Sequence, residues 1–308
     1  MVASNAPNFL VVGTQKAGTT YLCDKLASHP DIYFSPKKEP MFFQRRFSKE
    51  GFKAYLSGQF GGAGGQPWRG EGSTVYFQTP KALTNIERHL GSDLKIMVCL
   101  RHPTEKAVSH FLHQWRRGRF PRPIDINNAP AFAHGLSPQR TAMYYRHMCR
   151  WLSAYGKRQI EVLLFDKLKA DPNAYTAQAL GFLGLEPTAE VDPEPLNKGT
   201  GLVWKGDTLT IQDNPGNKWK PAFKKAELMR LHESYIQDIE RLEDLLHLGI
   251  SHWKEFPQFT SAPRQTTDLL ASFRDRVSTG IARIFVPTKS INSGSTVPAP
   301  QQLPIESS

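Results

Sequence analysis

The chain has 308 residues, enough to bury a sizeable core in one large domain or two small ones. Hydrophobic residues make up 39% of it, and 39 Lys and Arg stand against 28 Asp and Glu, a net charge of +11. That balance points to a globular protein and leaves room for an anionic ligand beside an ordinary basic surface. The charge is dispersed among apolar residues, as in Arg101–Arg122, with no nucleic-acid-binding motif and no apolar run of membrane-spanning length.

Cys23, Cys99 and Cys149 show neither metal-ligand spacing nor an even framework. They read as free thiols of a reducing compartment, two of them in apolar surroundings. With a strand beginning near Phe9 and no signal peptide in front of it, a cytoplasmic protein is expected.

In chain order, residues 9–13 read as a first strand and 18–28 as a helix broken by His29-Pro30. Ile32-Tyr33-Phe34 is a short strand. Phe60–Trp68 is a glycine-rich loop, expected to be mobile, and Pro80–Leu90 is a helix. Leu94–Leu100 is the best central strand after the first. It runs into Arg101 and a helix from Pro103 with apolar Ala107, Val108, Phe111 and Leu112. Met143–Tyr155 is amphipathic, Ile160–Phe165 a third apolar strand, and Ala174–Leu183 a helix closed by Gly184. Ala222–Leu248 reads as one helix with a core stripe of Leu228, Leu231, Tyr235, Ile239 and Leu242, and Leu269–Ile284 as a terminal one. Alternating strands and helices predict an α/β fold, a P-loop-like doubly wound parallel sheet flanked by helices. Ligands of such sheets bind beyond the carboxyl ends of the strands, where Gly13–Thr20 and Arg101 fall.

The first of these places carries the chemistry. An apolar strand, a loop bracketed by Gly13 and Gly18, and a helix start present backbone N–H groups and a positive dipole end to a phosphate. In a nucleotide P-loop the lysine follows the second glycine. Here Thr19 follows Gly18, and the lysine is Lys16, inside the loop. Phosphoryl transfer usually needs Mg²⁺ held in part by a carboxylate at a second strand's end. The second strong strand ends instead in Arg101-His102, which suits a terminal phosphate. Sulfuryl groups carry less charge, so a lysine and amides suffice to stabilise the bridging oxygen, and no metal is required.

At this point the chain resembles sulfotransferases that use 3′-phosphoadenosine 5′-phosphosulfate (PAPS), closest to the heparan sulfate N- and 3-O-sulfotransferase branch. Gly13-Thr14-Gln15-Lys16-Ala17-Gly18-Thr19-Thr20 is similar to the family's 5′-phosphosulfate loop. Lys38-Glu39-Pro40-Met41-Phe42-Phe43 resembles the segment with the catalytic glutamate. Glu71-Gly72-Ser73-Thr74-Val75-Tyr76-Phe77 is similar to a glutamate–lysine–serine segment, and Arg101-His102-Pro103 with Ser109 to the 3′-phosphate site. Asn197-Lys198-Gly199-Thr200-Gly201 resembles a late cofactor-covering loop, and residues 239–253 the closing helix.

The resemblance implies a sulfotransferase domain over 9–256, preceded by a short arm at 1–8. A helical extension at 257–287 and a disordered tail at 288–308 complete the expected layout. It also implies PAPS as donor and adenosine 3′,5′-bisphosphate as product. Lys16 would hold the phosphosulfate within a cradle from Gly13, Gln15, Ala17, Gly18, Thr19 and Thr20. Arg101 and Ser109 would grip the 3′-phosphate, with Lys198, Gly199 and Thr200 over the cofactor. Glu39 would be the general base. Phe42 and Phe43 read as core anchors, His29 as the end of a helix, and His110 and His113 as packing groups beside the phosphate.

One departure stands out: the lysine of the glutamate–lysine–serine segment is Gly72 here, so another group, Lys198 or one in the acceptor pocket, is expected to replace that charge. The family's late disulfide is also missing. The acceptor is expected to be a small metabolite or a saccharide, with Arg116–Arg122 and the loop 60–68 as candidate rims. Two other readings stay open: an atypical P-loop kinase, dependent on Mg²⁺, and a polyanion-binding module without catalysis.

Overall fold

In a computed structural model, which describes residues 5–131, 137–187, 201–212, 216 and 219–259, the run Phe9–Gly13 forms β1 with every residue buried. The chain continues through α1 (Thr19–Ala27), β2 (Ile32–Phe34), α2 (Lys49–Phe60), β3 (Trp68–Gly72), α3 (Pro80–Leu90), β4 (Lys95–Leu100) and α4 (Pro103–Arg116). After α5 (Tyr145–Tyr155) come β5 (Ile160–Leu164), α6 (Phe165–Ala170) and α7 (Pro172–Phe182). A hairpin follows, β6 (Leu202–Lys205) and β7 (Thr208–Ile211), then β8 (Ala222–Lys224), α8 (Lys225–Glu233) and α9 (Ile236–Leu246).

Strands β1 to β5 make one parallel sheet in the order β2-β3-β1-β4-β5. Alternation along the strands divides the core. Leu10, Val12, Ile96 and Val98 face one apolar cluster, while Phe9, Val11, Met97 and Cys99 face the other. Both faces are therefore covered, as a parallel sheet requires. From β1 the chain passes to β3 and β2 on one side and to β4 and β5 on the other. The crevice outside the carboxyl ends of β1 and β4 is thus the switch point where such sheets take their ligands.

Four details differ from the sequence reading. The run Trp68–Gly72, which the sequence reading left unassigned past the loop Phe60–Trp68, is a strand, and α2, anchored by Ser48 Oγ accepting from the Gly51 amide at 3.0 Å, precedes that loop. The stretch 222–248 is a short strand and two helices, not one helix. It breaks at Ser234-Tyr235, where Ser234 Oγ donates to the Leu231 carbonyl at 2.6 Å and the buried Tyr235 hydroxyl donates to that of Gln139 at 3.0 Å. Finally, β6, β7 and β8 form a separate antiparallel sheet. Lys198, Gly199 and Thr200, most of the predicted C-terminal extension and all of the tail lie outside the described residues.

Cys23 and Cys99 are buried and free, and Cys149 is free and half-buried. Burial pushes the Cys23 thiol up and that of Cys99 to about 12, so both stay protonated and unreactive.

Candidate active site

The loop after β1 is tied to the neighbouring strand. The Thr14 amide and its Oγ1 both donate to the Cys99 carbonyl, each at 2.9 Å. Beyond it, among the described residues, the amides of Gln15, Lys16, Ala17 and Gly18 donate to no acceptor. Those of Thr19 and Thr20 belong to the first turn of α1, which has no intrahelical partner to offer them. Gly18 lies at φ 85°, and a Cβ there would come within 2.6 Å of Leu168 Cδ2, so only glycine closes the loop onto α6. The result is a concave row of open donors at a positive helix end.

Lys16 is half-buried in this row. Its pKa is lowered, first by burial and then by the charges of Arg101, Arg116 and Lys38. Each of these charged neighbours is a cation. His113 on α4 is held down to about 4, by burial and then by Lys16, Arg117 and Arg116. His110 drops to about 3, by burial and then by Lys106, His113 and Lys16. Helix α4 therefore passes along the loop and adds to a field that calls for a polyanion.

Arg101 leaves the end of β4 and is held on several sides. Its Nε donates to Glu105 Oε2 at 3.0 Å and one terminal nitrogen to the Lys16 carbonyl at 3.4 Å. The guanidinium carbon lies 4.6 Å from the centre of the Phe165 ring, and the Tyr144 hydroxyl donates to the Arg101 carbonyl at 2.7 Å. A planar cation fixed this way keeps N–H groups directed for an anion. Ser109 is half-buried on α4, and among the described residues no hydrogen bond occupies its hydroxyl. The structure joins Arg101 directly to the Lys16 loop, and the same α4 carries Ser109 and the histidines that Lys16 reaches.

Glu39 sits on a segment laid against β3 and the turn that follows it. The Ser35 amide donates to the Gly70 carbonyl at 2.8 Å, and the Glu39 amide to that of Gly72 at 3.1 Å. Next, the Met41 amide donates to Ser73 Oγ at 3.1 Å and the Phe43 amide to the Tyr76 hydroxyl at 3.3 Å. Glu39 and Met41 both lie at φ 53°, a left-handed conformation uncommon outside glycine that costs energy and marks functional segments. Thr74 Oγ1 donates to Glu39 Oε1 at 3.1 Å, which aims the carboxylate. No ion pair reaches Glu39 among the described residues; Lys38 donates instead to Thr20 Oγ1 at 2.5 Å. Phe43 is fully buried, and Phe42 stacks on Tyr55 at 4.7 Å, so both rings anchor the segment in the core.

His29 is spoken for: its Nδ1 accepts from the Asp31 amide, and Nε2 lies 3.1 Å from the Glu186 carbonyl, so it closes α1 and faces no reacting group. The loop 60–68 enters β3 at the amino end of the parallel sheet, opposite the cradle, and cannot border an acceptor groove there. Arg116, Arg117, Arg119 and Arg122, by contrast, are exposed, and Arg116 is felt at Lys16. Sequence reasoning missed Tyr144, Phe165 and Glu105 as supports of Arg101, and Thr74 as the partner of Glu39. Only the Arg101–Glu105 spacing of four on a helix start offered a signal.

The buried groups set an acid limit on stability. His102 and His147 are each held down to about 4 by burial, joining His110 and His113. Their folded values lie below the ordinary one, about 6.5. The unfolded chain then binds more protons between pH 6.5 and 4, and stability falls as pH falls through that window. Buried Glu71, raised to about 8, works the other way, one carboxyl against four imidazoles. The thermal midpoint is expected to drop steadily from pH 6.5 to 4; a midpoint that rises over that range refutes this assignment.

A doubly phosphorylated nucleotide with a sulfuryl group fits this arrangement: open amides and Lys16 at one end, a fixed guanidinium and a free serine hydroxyl at the other. No cluster of three or more His, Cys, Asp or Glu side chains stands ready for a metal among the described residues.

Comparison with known proteins agrees. The model of the sulfotransferase domain family matches residues 6–243. Human heparan sulfate glucosamine 3-O-sulfotransferase 6 is 29% identical over 187 residues, 58% of this chain and 53% of that protein. The mouse bifunctional heparan sulfate N-deacetylase/N-sulfotransferase 4 is 28% identical over 268 residues, 78% of this chain and 30% of that protein. The chain thus spans about half or less of these curated relatives. A crystal structure of a sulfotransferase from Alicyclobacillus acidocaldarius superposes with a TM-score of 0.62 at 26% identity, covering 81% of this chain and 99% of that one. With the family model spanning most of its described residues, this chain belongs to the sulfotransferase domain family, the transferases whose sulfuryl donor is PAPS.

Proposed function

We propose that the protein transfers a sulfuryl group from PAPS to a hydroxyl or amine of a saccharide or small-metabolite acceptor. The observation that carries this is Lys16: a half-buried lysine in a loop of open amides whose charged neighbours are Arg101, Arg116 and Lys38. Such a concentration of positive charge attracts a polyanion. When bound, PAPS supplies a sulfuryl group attached to a phosphate oxygen that leaves with the nucleotide.

Under this reading the loop amides, Thr19, Thr20 and Lys16 hold the phosphosulfate, and Arg101 with Ser109 holds the 3′-phosphate. Lys16 stabilises the charge gathering on the leaving side. Glu39, aimed by Thr74, takes the proton of the acceptor. The exposed arginines Arg116, Arg117, Arg119 and Arg122, continuous with the cradle through Arg116, favour an acceptor that itself carries negative charge, and the heparan sulfate enzymes among the relatives support a saccharide.

A mass-detected screen of saccharide and metabolite acceptors with PAPS tests the reading. One acceptor should gain a sulfuryl group at a rate indifferent to a chelator. A phosphoryl product formed from ATP and lost on chelation would instead favour the kinase reading. Tight, steeply salt-dependent binding of polyanions with no turnover would favour the binding module.

A further inference from the structure

The segment facing position 72 carries a lysine, Lys38. Strand β3 ends at Gly72, where an added Cβ would lie 2.6 Å from the Sγ of buried Cys23. A side chain there would first have to push the Cys23 thiol aside. Yet the Gly72 carbonyl is the acceptor for the Glu39 amide at 3.1 Å, so residues 38 and 39 lie directly over this strand end. From there Lys38 reaches to the phosphate loop, and its ammonium donates to Thr20 Oγ1 at 2.5 Å. Its charge is felt at Lys16 and at Cys23, which places it between the loop and the end of β3.

Resting on the sulfotransferase reading above, we propose that Lys38 is a further catalytic residue, an ammonium that contacts the oxygens of the sulfuryl group between Lys16 and Glu39. Three facts converge on this. Lys38 is adjacent in sequence to Glu39, so one peptide delivers both groups. It is exposed, so its ammonium carries no buried partner that must be broken on binding. Among the described residues its one hydrogen-bond acceptor is a hydroxyl of the cradle itself, not a carboxylate, which leaves the remaining N–H groups open toward an anion.

The test separates two ligands that differ only in the sulfuryl group. The wild-type protein and the Lys38→Met variant are titrated by calorimetry with PAPS and with adenosine 3′,5′-bisphosphate. A hydrogen bond to a charged group corresponds to roughly 10- to 100-fold in affinity or rate. Lys38→Met should weaken PAPS binding by about 10-fold or more on that scale, lower turnover by about 100-fold, and leave bisphosphate affinity within about twofold. Lys38→Arg should restore part of both losses. Unchanged PAPS affinity in Lys38→Met, with the wild type binding both ligands, overturns the proposal alone. Equal weakening of both ligands overturns it too, because a displaced Thr20 acts on the phosphate cradle regardless of the sulfuryl group. A wild-type protein that binds neither ligand removes the sulfotransferase reading, and this proposal with it.

Discussion

Glu39→Gln turns over about 10²- to 10⁴-fold more slowly than the parent, the range lost with a positioned base, while its affinity for adenosine 3′,5′-bisphosphate stays the same. The two halves of this expectation come from different bonds. The glutamine amide keeps an oxygen for Thr74 Oγ1, and the backbone bonds at Ser35, Glu39, Met41 and Phe43 do not involve the carboxylate. The segment therefore stays in place, and the cradle on the far side of the reaction is untouched. Only proton acceptance is lost. Steady-state rates with an identified acceptor, set beside calorimetry with the bisphosphate, check both halves. Undiminished turnover removes Glu39 as the base.

Lys16→Ala is expected to lower turnover by about 10²- to 10³-fold, the usual consequence of removing one preorganised donor from developing charge. Here binding suffers as well, since Lys16 holds the same phosphate in the ground state. The electrostatics supply an independent readout. The ammonium helps hold His113 near 4 and His110 near 3, so its removal shifts both imidazoles upward. Proton-resolved titration of the two rings in the unliganded variant detects this without any turnover. Lys16→Arg should not restore activity, because a planar, longer guanidinium cannot take the place of a compact ammonium in a loop closed against α6. If alanine at this position leaves both rate and imidazole titrations unchanged, Lys16 does not face the reaction.

How much of this was legible in the sequence depends on which residues carry the signal. Strands β1 and β4 were plain because they are unbroken apolar runs, and α3 because Pro80 opens it and Gly91 follows it. Strand β3, Trp-Arg-Gly-Glu-Gly, was hidden. Two glycines and two charged residues oppose a strand in isolation. It forms because it is paired on both sides and because Gly70 admits the Phe9 ring, where a Cβ would fall 2.0 Å from Cζ. The single helix read over 222–248 failed for the opposite reason. Its apolar period runs on through a break set by the local bonds of Ser234 and the distant one of Tyr235. In the site, the cradle and its lysine could be read because they are contiguous in sequence. The hold of Thr74 on Glu39, and of Tyr144 and Phe165 on Arg101, could not, since those pairs are separated by 35 to 64 positions and meet only through the sheet order.

The rung-by-rung stitching of residues 35–43 onto 70–76 makes Glu39, the proposed proton acceptor, part of the chassis rather than of the wrapping. The arginines after α4, proposed above to meet the acceptor, are attached elsewhere. A designer wishing to redirect this protein toward a different recipient can exchange those outer segments wholesale while the reacting carboxylate keeps its bearing.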